Sequence, residues 1–234
     1  MTLLYYLIII LIIIVSVYLF WRYIYFFRNP SRQISYDPKS ILSPADGTIL
    51  YCKKIEPGAN IFSIKKNNHI KLDDLMFTED KSLKQSGWLI GIVMTLLDVH
   101  YNRAPIDGFV KKIMHDFPDG FNKNKFMISA IKNIIFNRKP LWKNCEYIVT
   151  NERASYIFKN EKITLYVTQI ADRWIDKIVS LKNNTTVKQG EVFGLIKMGS
   201  QVDIFVPDSN GEIELLVREK QKVKAGITKL MKIK

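Results

Sequence analysis

The chain has 234 residues, of which 47% are hydrophobic and 24% charged, so most of it is expected to fold around a buried core. Lysine and arginine outnumber aspartate and glutamate by 35 to 22, which gives a formal net charge of +13 and favours an anionic partner, either nucleic acid or a membrane surface. The two cysteines, Cys52 and Cys145, form neither a C-x-x-C motif nor a disulfide framework, and the simplest interpretation is that both are reduced thiols in a cytoplasmic compartment.

The N-terminal segment predicts a membrane anchor. Residues 1–21 carry no charge, and residues 3–20 are almost wholly Leu, Ile, Val and Tyr. About 20 apolar residues span a bilayer as a helix. A cleaved signal peptide is the alternative, but no basic residue precedes the apolar run and no small-x-small cleavage site follows it. Basic residues come after the span, so the chain is expected to be a single-pass protein of the cell membrane with its domain in the cytoplasm.

Composition divides the chain into three parts. Residues 1–28 form the transmembrane anchor and its basic flank, and residues 29–40 form a linker in which Pro30 and Pro38 lie among polar residues. Residues 41–234 form the folded domain, where short apolar runs are broken by Gly, Asn, Asp and Pro. That pattern is typical of strands joined by tight turns, so we expect a β-rich α+β fold.

Two short sequence motifs recur within the domain. In the first, Asp or Asn precedes a glycine and a β-branched residue lies two positions after it, as at Gly47, Gly108 and Gly211. Such pairs supply the positive φ of a turn from which a strand leaves. The second motif occurs as Val187-Lys-Gln-Gly190 and as Val223-Lys-Ala-Gly226. The repeats predict a small barrel or sandwich with quasi-symmetric halves, like the hybrid barrel of biotinyl and lipoyl carriers.

A cluster of polar residues ends an apolar run near the middle of the chain. Asp98, His100 and Asn102 alternate, so an extended chain would place their side chains on one face, and Arg103 follows them. Polar groups at the end of a buried strand cost free energy unless they are hydrogen-bonded or used. The pattern indicates either a turn network that closes onto Pro105 or a site in which His100, which titrates near neutral pH, moves protons.

Few segments predict a helix. Residues 73–78 suit one turn, and residues 125–137 alternate apolar and basic side chains before Pro140 ends the pattern. The second segment lies in an insert, residues 121–147. It suits either a helix in the lipid headgroup layer or an ordinary helix packed on the core. In the first case, Asp at Ile131 and Ile134 is expected to abolish binding to liposomes.

The pair Gly199-Ser200 is a candidate site of self-cleavage. In a strained Gly-Ser peptide the serine hydroxyl can attack the preceding carbonyl, the amide becomes an ester, and elimination cuts the chain. The serine left at the new N-terminus becomes a pyruvoyl group, whose ketone acts as an electron sink. Gly-Ser pairs are also common in turns, so the pair alone does not decide between a turn and a cut.

Four motifs follow one another along the domain: Ser43-Pro-Ala-Asp-Gly47, Asp98-Val-His-Tyr-Asn-Arg-Ala-Pro105, Asn151-Glu-Arg153 and Phe193-Gly-Leu-Ile-Lys-Met-Gly-Ser-Gln-Val-Asp203. In this order they resemble the phosphatidylserine decarboxylase family, particularly its short form, which includes archaetidylserine decarboxylases. The resemblance covers roughly residues 41–234, and it is poor in the insert.

The resemblance implies a carboxy-lyase that converts a serine-headgroup phospholipid, phosphatidylserine or archaetidylserine, into the ethanolamine lipid. The proenzyme would cut itself between Gly199 and Ser200 into a β chain of residues 1–199 and an α chain of residues 200–234. Ser200 would become a covalent pyruvoyl cofactor, whose ketone condenses with the headgroup amine and takes up the electrons left by carbon dioxide. No metal or diffusible cofactor is implied.

The resemblance also suggests roles for individual residues. His100 would move protons, in activating Ser200, in protonating the substrate carbon, or in both. Asp46 would orient a histidine. Arg103 stands where longer bacterial members have a second histidine, and with Asn102 it would bind the substrate, since a guanidinium suits both carboxylate and phosphate.

The expected partners are an anionic phospholipid substrate, the membrane surface and the protein's own cleaved chains. Nucleic acid is not expected, because the basic residues are spread out and no recognition helix appears. The sequence leaves open whether the chain forms a homo-oligomer and which lipid tails the substrate carries. One alternative function is a biotinyl or lipoyl carrier domain modified at Lys197, which would make no use of the segment around His100.

Overall fold

The computed structural model describes residues 2–63, 69–76, 78, 80–117, 122, 126–138, 145–173, 177–197 and 200–234. The chain forms two compact units, Met1–Ser31 and Arg32–Lys234. The helices are Thr2–Phe20 (α1), Leu72–Met76 (α2), Met127–Ile135 (α3) and Tyr147–Thr150 (α4). The strands are Ser40–Leu42 (β1), Gly47–Ile55 (β2), Phe62–Ser63 (β3), His69–Ile70 (β4), Gly87–Met94 (β5), Tyr101–Arg103 (β6), Gly108–Asp116 (β7), Arg153–Lys159 (β8), Thr164–Ala171 (β9), Lys177–Ser180 (β10), Thr185–Val187 (β11), Val192–Lys197 (β12), Ser200–Pro207 (β13), Ile213–Leu215 (β14), Lys222–Val223 (β15) and Lys229–Ile233 (β16).

The first unit is dominated by α1, which is apolar on every side and continues into a π-helical turn at Trp21–Tyr25. The segment Leu3–Tyr25 is long and apolar enough to cross a membrane. A helix satisfies all its interior backbone hydrogen bonds within itself, which is what a lipid environment requires. The expected N-terminal apolar helix is therefore confirmed, while its orientation stays a prediction.

An eight-stranded antiparallel sheet forms the centre of the second unit, with the order β11-β7-β8-β9-β13-β5-β2-β15. β13 is an interior strand of this sheet. It pairs with β5 along its whole length and with β9 over residues 200–205. Because side chains alternate across a strand, β13 contributes to both faces of the sheet.

Two apolar clusters cover those two faces. Val202 and Ile204 of β13 belong to one cluster, which the three-stranded sheets β10-β12-β6 and β1-β16-β14 also build. Phe205 belongs to the other cluster, which includes buried residues of α2, α3 and α4. The domain is thus layered, with small sheets on one face and short helices on the other. A β-rich α+β fold is confirmed.

Two quasi-equivalent turns lead into β2 and β7. Gly47 has a φ of +152° and Gly108 a φ of +134°, and Gly211 also has a positive φ, as the turn motif predicts. The turns exchange matched backbone hydrogen bonds: Leu42 N to Pro105 O and Arg103 N to Pro44 O are both 2.9 Å, and Gly226 N to Ser43 O and Gly190 N to Ala104 O are both 2.8 Å. The hydrogen bonds join equivalent residues of the repeated sequence motifs, so the motifs are related by a local two-fold axis. The carrier-type barrel stays a prediction.

The chain before His100 departs from the expected extended conformation. Asp98 Oδ2 accepts hydrogen bonds from the backbone N and the Oγ1 of Thr95, both at 2.7 Å. The carboxylate therefore caps a turn that ends the apolar strand, as Asp side chains commonly do. β6 begins only at Tyr101, so Asp98 does not share an extended face with His100 and Asn102.

The described part of the insert contains α3, which has one buried and one exposed apolar side. Ile131 and Ile134 pack against the helix-side cluster. The exposed apolar side chains are Ile128, Ile135 and Phe136, which are 49%, 69% and 63% accessible. The expected helix is confirmed, and one side of it packs on the core, whereas contact of the exposed side with the lipid headgroup layer stays a prediction. Residues 121, 123–125 and 139–144 of the insert lie outside the described residues.

Candidate active site

Ser200 begins β13 and has no accessible surface. The sheet register places it between Met94, the last residue of β5, and Ala171, the last residue of β9. Its Oγ donates a hydrogen bond to Met94 Sδ over 3.1 Å. A thioether is a weak acceptor, so this bond costs little to break. Gly199, the other half of the predicted cleavage site, lies outside the described residues.

Asn102 and Ser200 both contact the sulfur atom of Met94. Its Nδ2 is 3.9 Å from Met94 Sδ, and its Oδ1 accepts a hydrogen bond from Gln169 Nε2 over 2.5 Å. Within the described chain, the buried Gln169 Oε1 has no hydrogen-bond donor. A Cβ at position 194 would come within 2.9 Å of Gln169 Nε2, so Gly194 makes room for the amide. The result is a buried acceptor that a ligand's N–H could satisfy.

His100 is fully buried just before β6. Its backbone O accepts a hydrogen bond from Ile196 N over 3.2 Å. Ile196 belongs to β12, the strand that precedes the predicted cut, and β12 pairs with β6 through Leu195 and Tyr101. The structure therefore fixes the main chain of His100 to the strand that leads into Ser200.

Asp46 lies in the buried turn before β2. Its two oxygens accept hydrogen bonds from Arg32 Nη1 and Nη2 over 2.6 and 2.8 Å, and Oδ1 accepts a third from Ala225 N over 2.7 Å. Only 8% of the Arg32 side chain and 12% of the Asp46 side chain are accessible. This is a bidentate, nearly dehydrated ion pair. The contacts of Asp46 are thus with Arg32 and Ala225, and its role in orienting a histidine stays a prediction.

Arg103 lies between the two repeated glycine turns. Its Nη1 donates to Gly190 O over 3.0 Å, and a Cβ at Gly226 would come within 3.0 Å of its Cδ. Burial lowers the pKa of the Arg103 guanidinium, the positive charge of Arg32 lowers it further, and Asp46 opposes both. Arg103, Arg32 and Asp46 therefore form one electrostatic cluster with an excess of positive charge, which favours an anionic ligand.

The sequence matches a known family over most of its length. The family model for phosphatidylserine decarboxylase covers residues 19–230, which include Ser200, His100, Asn102, Arg103 and Asp46. The chain belongs to this family. It is therefore a decarboxylase, a carboxy-lyase of phospholipid biosynthesis whose relatives are named as proenzymes.

Individual relatives agree with this assignment. The chain is 31% identical over 212 residues to the phosphatidylserine decarboxylase proenzyme of Carboxydothermus hydrogenoformans. The aligned region spans 90% of this chain and 79% of the relative. It is 34% identical over 206 residues to that of Wolbachia pipientis wMel, over 87% of this chain and 72% of the relative. A relative in Methanocaldococcus jannaschii, whose name assigns it to the archaetidylserine decarboxylase proenzymes, is 32% identical over 206 residues, 88% of this chain and 86% of its own.

Membership of the decarboxylase family leaves the carrier-domain alternative without support. Lys197 is the last residue of β12 and pairs with Lys177 of β10, so it lies in a sheet and not at the exposed tip of a turn. A carrier needs its modified lysine at such a tip, where the attached group can swing between sites.

Three residues that contact the predicted site residues were missed by the sequence-based predictions. Gln169 could have been noticed as an amide within the apolar run of β9. Arg32 lies in the segment assigned to the linker, where nothing distinguishes it from its basic neighbours. Met94 reads as an ordinary strand residue, and its contact with Ser200 depends on the register between β5 and β13.

Proposed function

We propose that this family member is a pyruvoyl-dependent decarboxylase of a serine-headgroup phospholipid and that it matures by cutting itself before Ser200. The observation that carries the proposal is the position of Ser200. The residue is fully buried at the start of a strand, and its Oγ donates to the weak acceptor Met94 Sδ. A hydroxyl in that setting is shielded from bulk water and is not tied to a strong acceptor.

The cut is an internal acyl shift followed by an elimination. Ser200 Oγ attacks the Gly199 carbonyl carbon and gives its proton to a base; the peptide C–N bond breaks as the ester C–O bond forms, and the nitrogen takes up a proton. Removal of the Ser200 α-proton then breaks the Cβ–O bond, and Gly199 leaves as a carboxylate. Water replaces the nitrogen, ammonia is released, and the ketone remains. Burial favours this route because water would otherwise hydrolyse the ester.

The surroundings of Ser200 fit a small ketone that meets an amine. When formed, the pyruvoyl group supplies an electron sink for the bond to the departing carboxylate. Gln169 Oε1, the buried acceptor without a described donor, would accept a hydrogen bond from the substrate amine. Asn102, linked to both Gln169 and Met94, would orient the headgroup beside Ser200.

Proton transfer and anion binding are assigned to the two other predicted residues. His100 would give a proton to the headgroup carbon after carbon dioxide has left, because imidazole exchanges protons near neutral pH. Arg103 would bind the substrate phosphate or carboxylate, aided by the positive charge of Arg32. Asp46 would orient a histidine indirectly, by fixing the turn between Arg32 and Ala225 on which this cluster depends.

The substrate and the location follow from the same assignment. The relatives' names include both phosphatidylserine and archaetidylserine decarboxylases, whose headgroup chemistry is shared, so the proposal covers both lipids. Residues 1–28 would anchor the protein in the cell membrane, with residues 29–40 as a linker and residues 41–234 as the cytoplasmic catalytic domain. Its partners would be the anionic lipid surface and its own α and β chains.

Comparison of the wild type with Ser200→Ala tests the proposed function. Denaturing electrophoresis and mass spectrometry of the wild type should give two chains that meet at residues 199 and 200, the smaller one blocked to Edman degradation. Ser200→Ala should give one chain that releases no carbon dioxide from serine-headed lipid. Ser209→Ala, at an exposed turn, is the matched control and should be cut and active. An uncut wild type that still decarboxylates the lipid would refute the proposal.

The exposed side of α3 is assigned to the membrane surface. In a form without residues 1–28, checked for folding by circular dichroism, the double change Ile128→Asp and Ile135→Asp should abolish binding to anionic liposomes without unfolding the domain. The double change Ile131→Asp and Ile134→Asp should instead unfold it, because those side chains pack on the core. Undiminished liposome binding by the first variant would contradict this role.

A further inference from the structure

A buried polar network lies behind Ser200, on the opposite face of β13. Gln201 follows Ser200, so its side chain points to the helix-side face while the Ser200 side chain points the other way. Gln201 Oε1 accepts a hydrogen bond from Tyr147 OH over 2.8 Å. Gln201 Nε2 donates to Tyr51 OH and to Asp203 Oδ1, both over 2.8 Å. All polar atoms of this amide side chain therefore have partners.

The network also depends on a glycine. Tyr51 OH donates to Asp203 Oδ1 and Oδ2, each over 2.9 Å, so the tyrosine of β2 reaches across β5 to β13. A Cβ at Gly91 would lie 2.3 Å from the Tyr51 ring, so only glycine at that position of β5 lets the ring cross. Tyr51, Tyr147, Gln201 and Asp203 are each at most 2% accessible. We call these four residues the Gln201 lock.

The lock connects the two sides of the proposed cut. Gln201 and Asp203 belong to residues 200–234, whereas Tyr51 and Tyr147 belong to residues 1–199. A cut before Ser200 would turn an interior residue into a chain end, and chain ends in sheets fray unless they are tied down. The described ties of Ser200 itself are its strand pairing and the weak bond to Met94. The hydrogen bonds of Gln201 are the nearest strong side-chain ties.

We propose that Gln201 is a positioning residue, which Tyr147 and Tyr51 hold so that the ketone formed from Ser200 stays aligned in the site after the chain is cut. The inference rests on the proposed function and assigns a different role to each face of β13. The Ser200 face of β13 carries the chemistry, and the Gln201 face fixes the new chain end. Catalysis is sensitive to small displacements of a reacting group, so loosening the lock should lower turnover more than substrate binding.

The test uses Tyr147→Phe, which removes one hydroxyl and leaves the ring that stacks on Phe126. Its control is Tyr156→Phe, at another buried tyrosine, whose part-buried hydroxyl has its partner, Ser180 Oγ at 2.6 Å, on the same side of the cut. Both variants should fold and cut themselves. Tyr147→Phe should lose about tenfold in kcat with an unchanged KM, whereas Tyr156→Phe should keep its kcat.

A second readout separates positioning from general stability. Hydrogen exchange of the backbone amides of residues 201–203, followed by mass spectrometry, should accelerate in cut Tyr147→Phe but barely in the uncut double variant Ser200→Ala, Tyr147→Phe. Only a chain end needs the lock, so the effect should depend on the cut. Gln201→Met, which keeps the length of the side chain without its hydrogen bonds, should behave in both assays as Tyr147→Phe does.

The outcomes are distinct from those of the proposed function. Equal acceleration of exchange in cut and uncut forms, failure of Tyr147→Phe to cut while Tyr156→Phe cuts, or equal kcat values for the two tyrosine variants would each overturn the lock. A wild type that is cut and active in the same series would leave the proposed function intact. An uncut wild type would count against the proposed function itself.

Discussion

Two buried carboxylates near the Ser200 end of the central sheet are stabilised in different ways. Asp46 accepts a bidentate pair of hydrogen bonds from Arg32 and one from a backbone amide, so a full positive charge compensates it. Asp203 is completely buried and accepts from Tyr51 and Gln201, which are neutral. Burial raises the pKa of Asp203 to about 7, against the hydrogen bonds and the charge of Lys53, which lower it.

This difference in partners determines which substitutions each carboxylate should tolerate. Removing Asp46 leaves a buried arginine without its counter-ion, which is costly. Asp203 has a pKa of about 7 and is mostly neutral below that pH, so an amide of the same shape can replace it there without leaving a buried charge behind. Substitutions at these residues should differ in their effect on stability, which is best measured in the uncut Ser200→Ala background, where one chain unfolds.

The largest effect is expected for Asp46→Ala. Loss of one partner of a buried ion pair costs about 3–5 kcal/mol, so the free energy of unfolding in urea should fall by that amount. The control is Asp107→Ala in the quasi-equivalent turn, where the one hydrogen bond to the carboxylate from the described residues is a long 3.4 Å contact from exposed Tyr36. That change should cost less than about 1 kcal/mol. Equal losses would mean that the Arg32 pair is no stronger than a surface contact.

The second effect is a pH dependence of stability that originates at Asp203. Its folded pKa of about 7 lies above its ordinary value of 3.8, so its contribution is complete below pH 4 and is lost as the pH rises through 7. The loss is at most about 4 kcal/mol. Unfolding in urea at pH 5 and at pH 7.5 should show this decline in the parent and not in Asp203→Asn.

The groups that face Asp203 do not produce this decline. Tyr51, Tyr147 and Cys145 have pKa values raised by burial, and Lys53 has a pKa lowered by burial to about 8. Lys53 therefore stays mostly charged and the other three groups stay neutral between pH 5 and pH 7.5. A parent and an Asp203→Asn variant whose unfolding free energies change in parallel over that range would show that Asp203 is ionised throughout.

The smallest effect is expected for Arg32→Lys. The charge beside Asp46 remains, but an ammonium lacks the planar fork that gives two parallel hydrogen bonds, so the free energy of unfolding should fall by about 1–2 kcal/mol. Lys182→Ala, which breaks the more exposed pair with Glu191 at 2.9 Å, should cost less than about 1 kcal/mol. A loss for Arg32→Lys as large as that for Asp46→Ala would show that the fork and not the charge provides the stabilisation.

Features that depend on local chemistry could be predicted from the sequence. The apolar run gave α1, and the Asx-Gly pairs gave the turns at Gly47 and Gly108, because positive φ and a following strand are properties of a few adjacent residues. The motif around Ser200 identified a candidate cleavage site only through the resemblance to the family, and it did not predict that Ser200 begins a buried strand near Asn102. Local pattern alone did not decide between a turn and a site.

Features that depend on register could not be predicted. Asp98 looked like part of an alternating strand, but its carboxylate is also well placed to cap a turn, and the turn prevailed. Arg32, in the segment assigned to the linker, pairs with Asp46 of the domain, and Tyr51 contacts Asp203 only because β2, β5 and β13 align at Gly91. Such contacts arise from how distant segments pair, which no single window of the sequence contains.

The central place of β13 has a consequence for how the mature protein would withstand heat. Residues 200–234 supply an interior strand of the large sheet and also β15 and β16, which pair with β2 and β1. After a cut, thermal unfolding would disperse two separate molecules, and recovery would require them to find each other again. The uncut precursor should therefore renature after heating, whereas the mature enzyme should be inactivated irreversibly, at a rate set by its unfolding barrier.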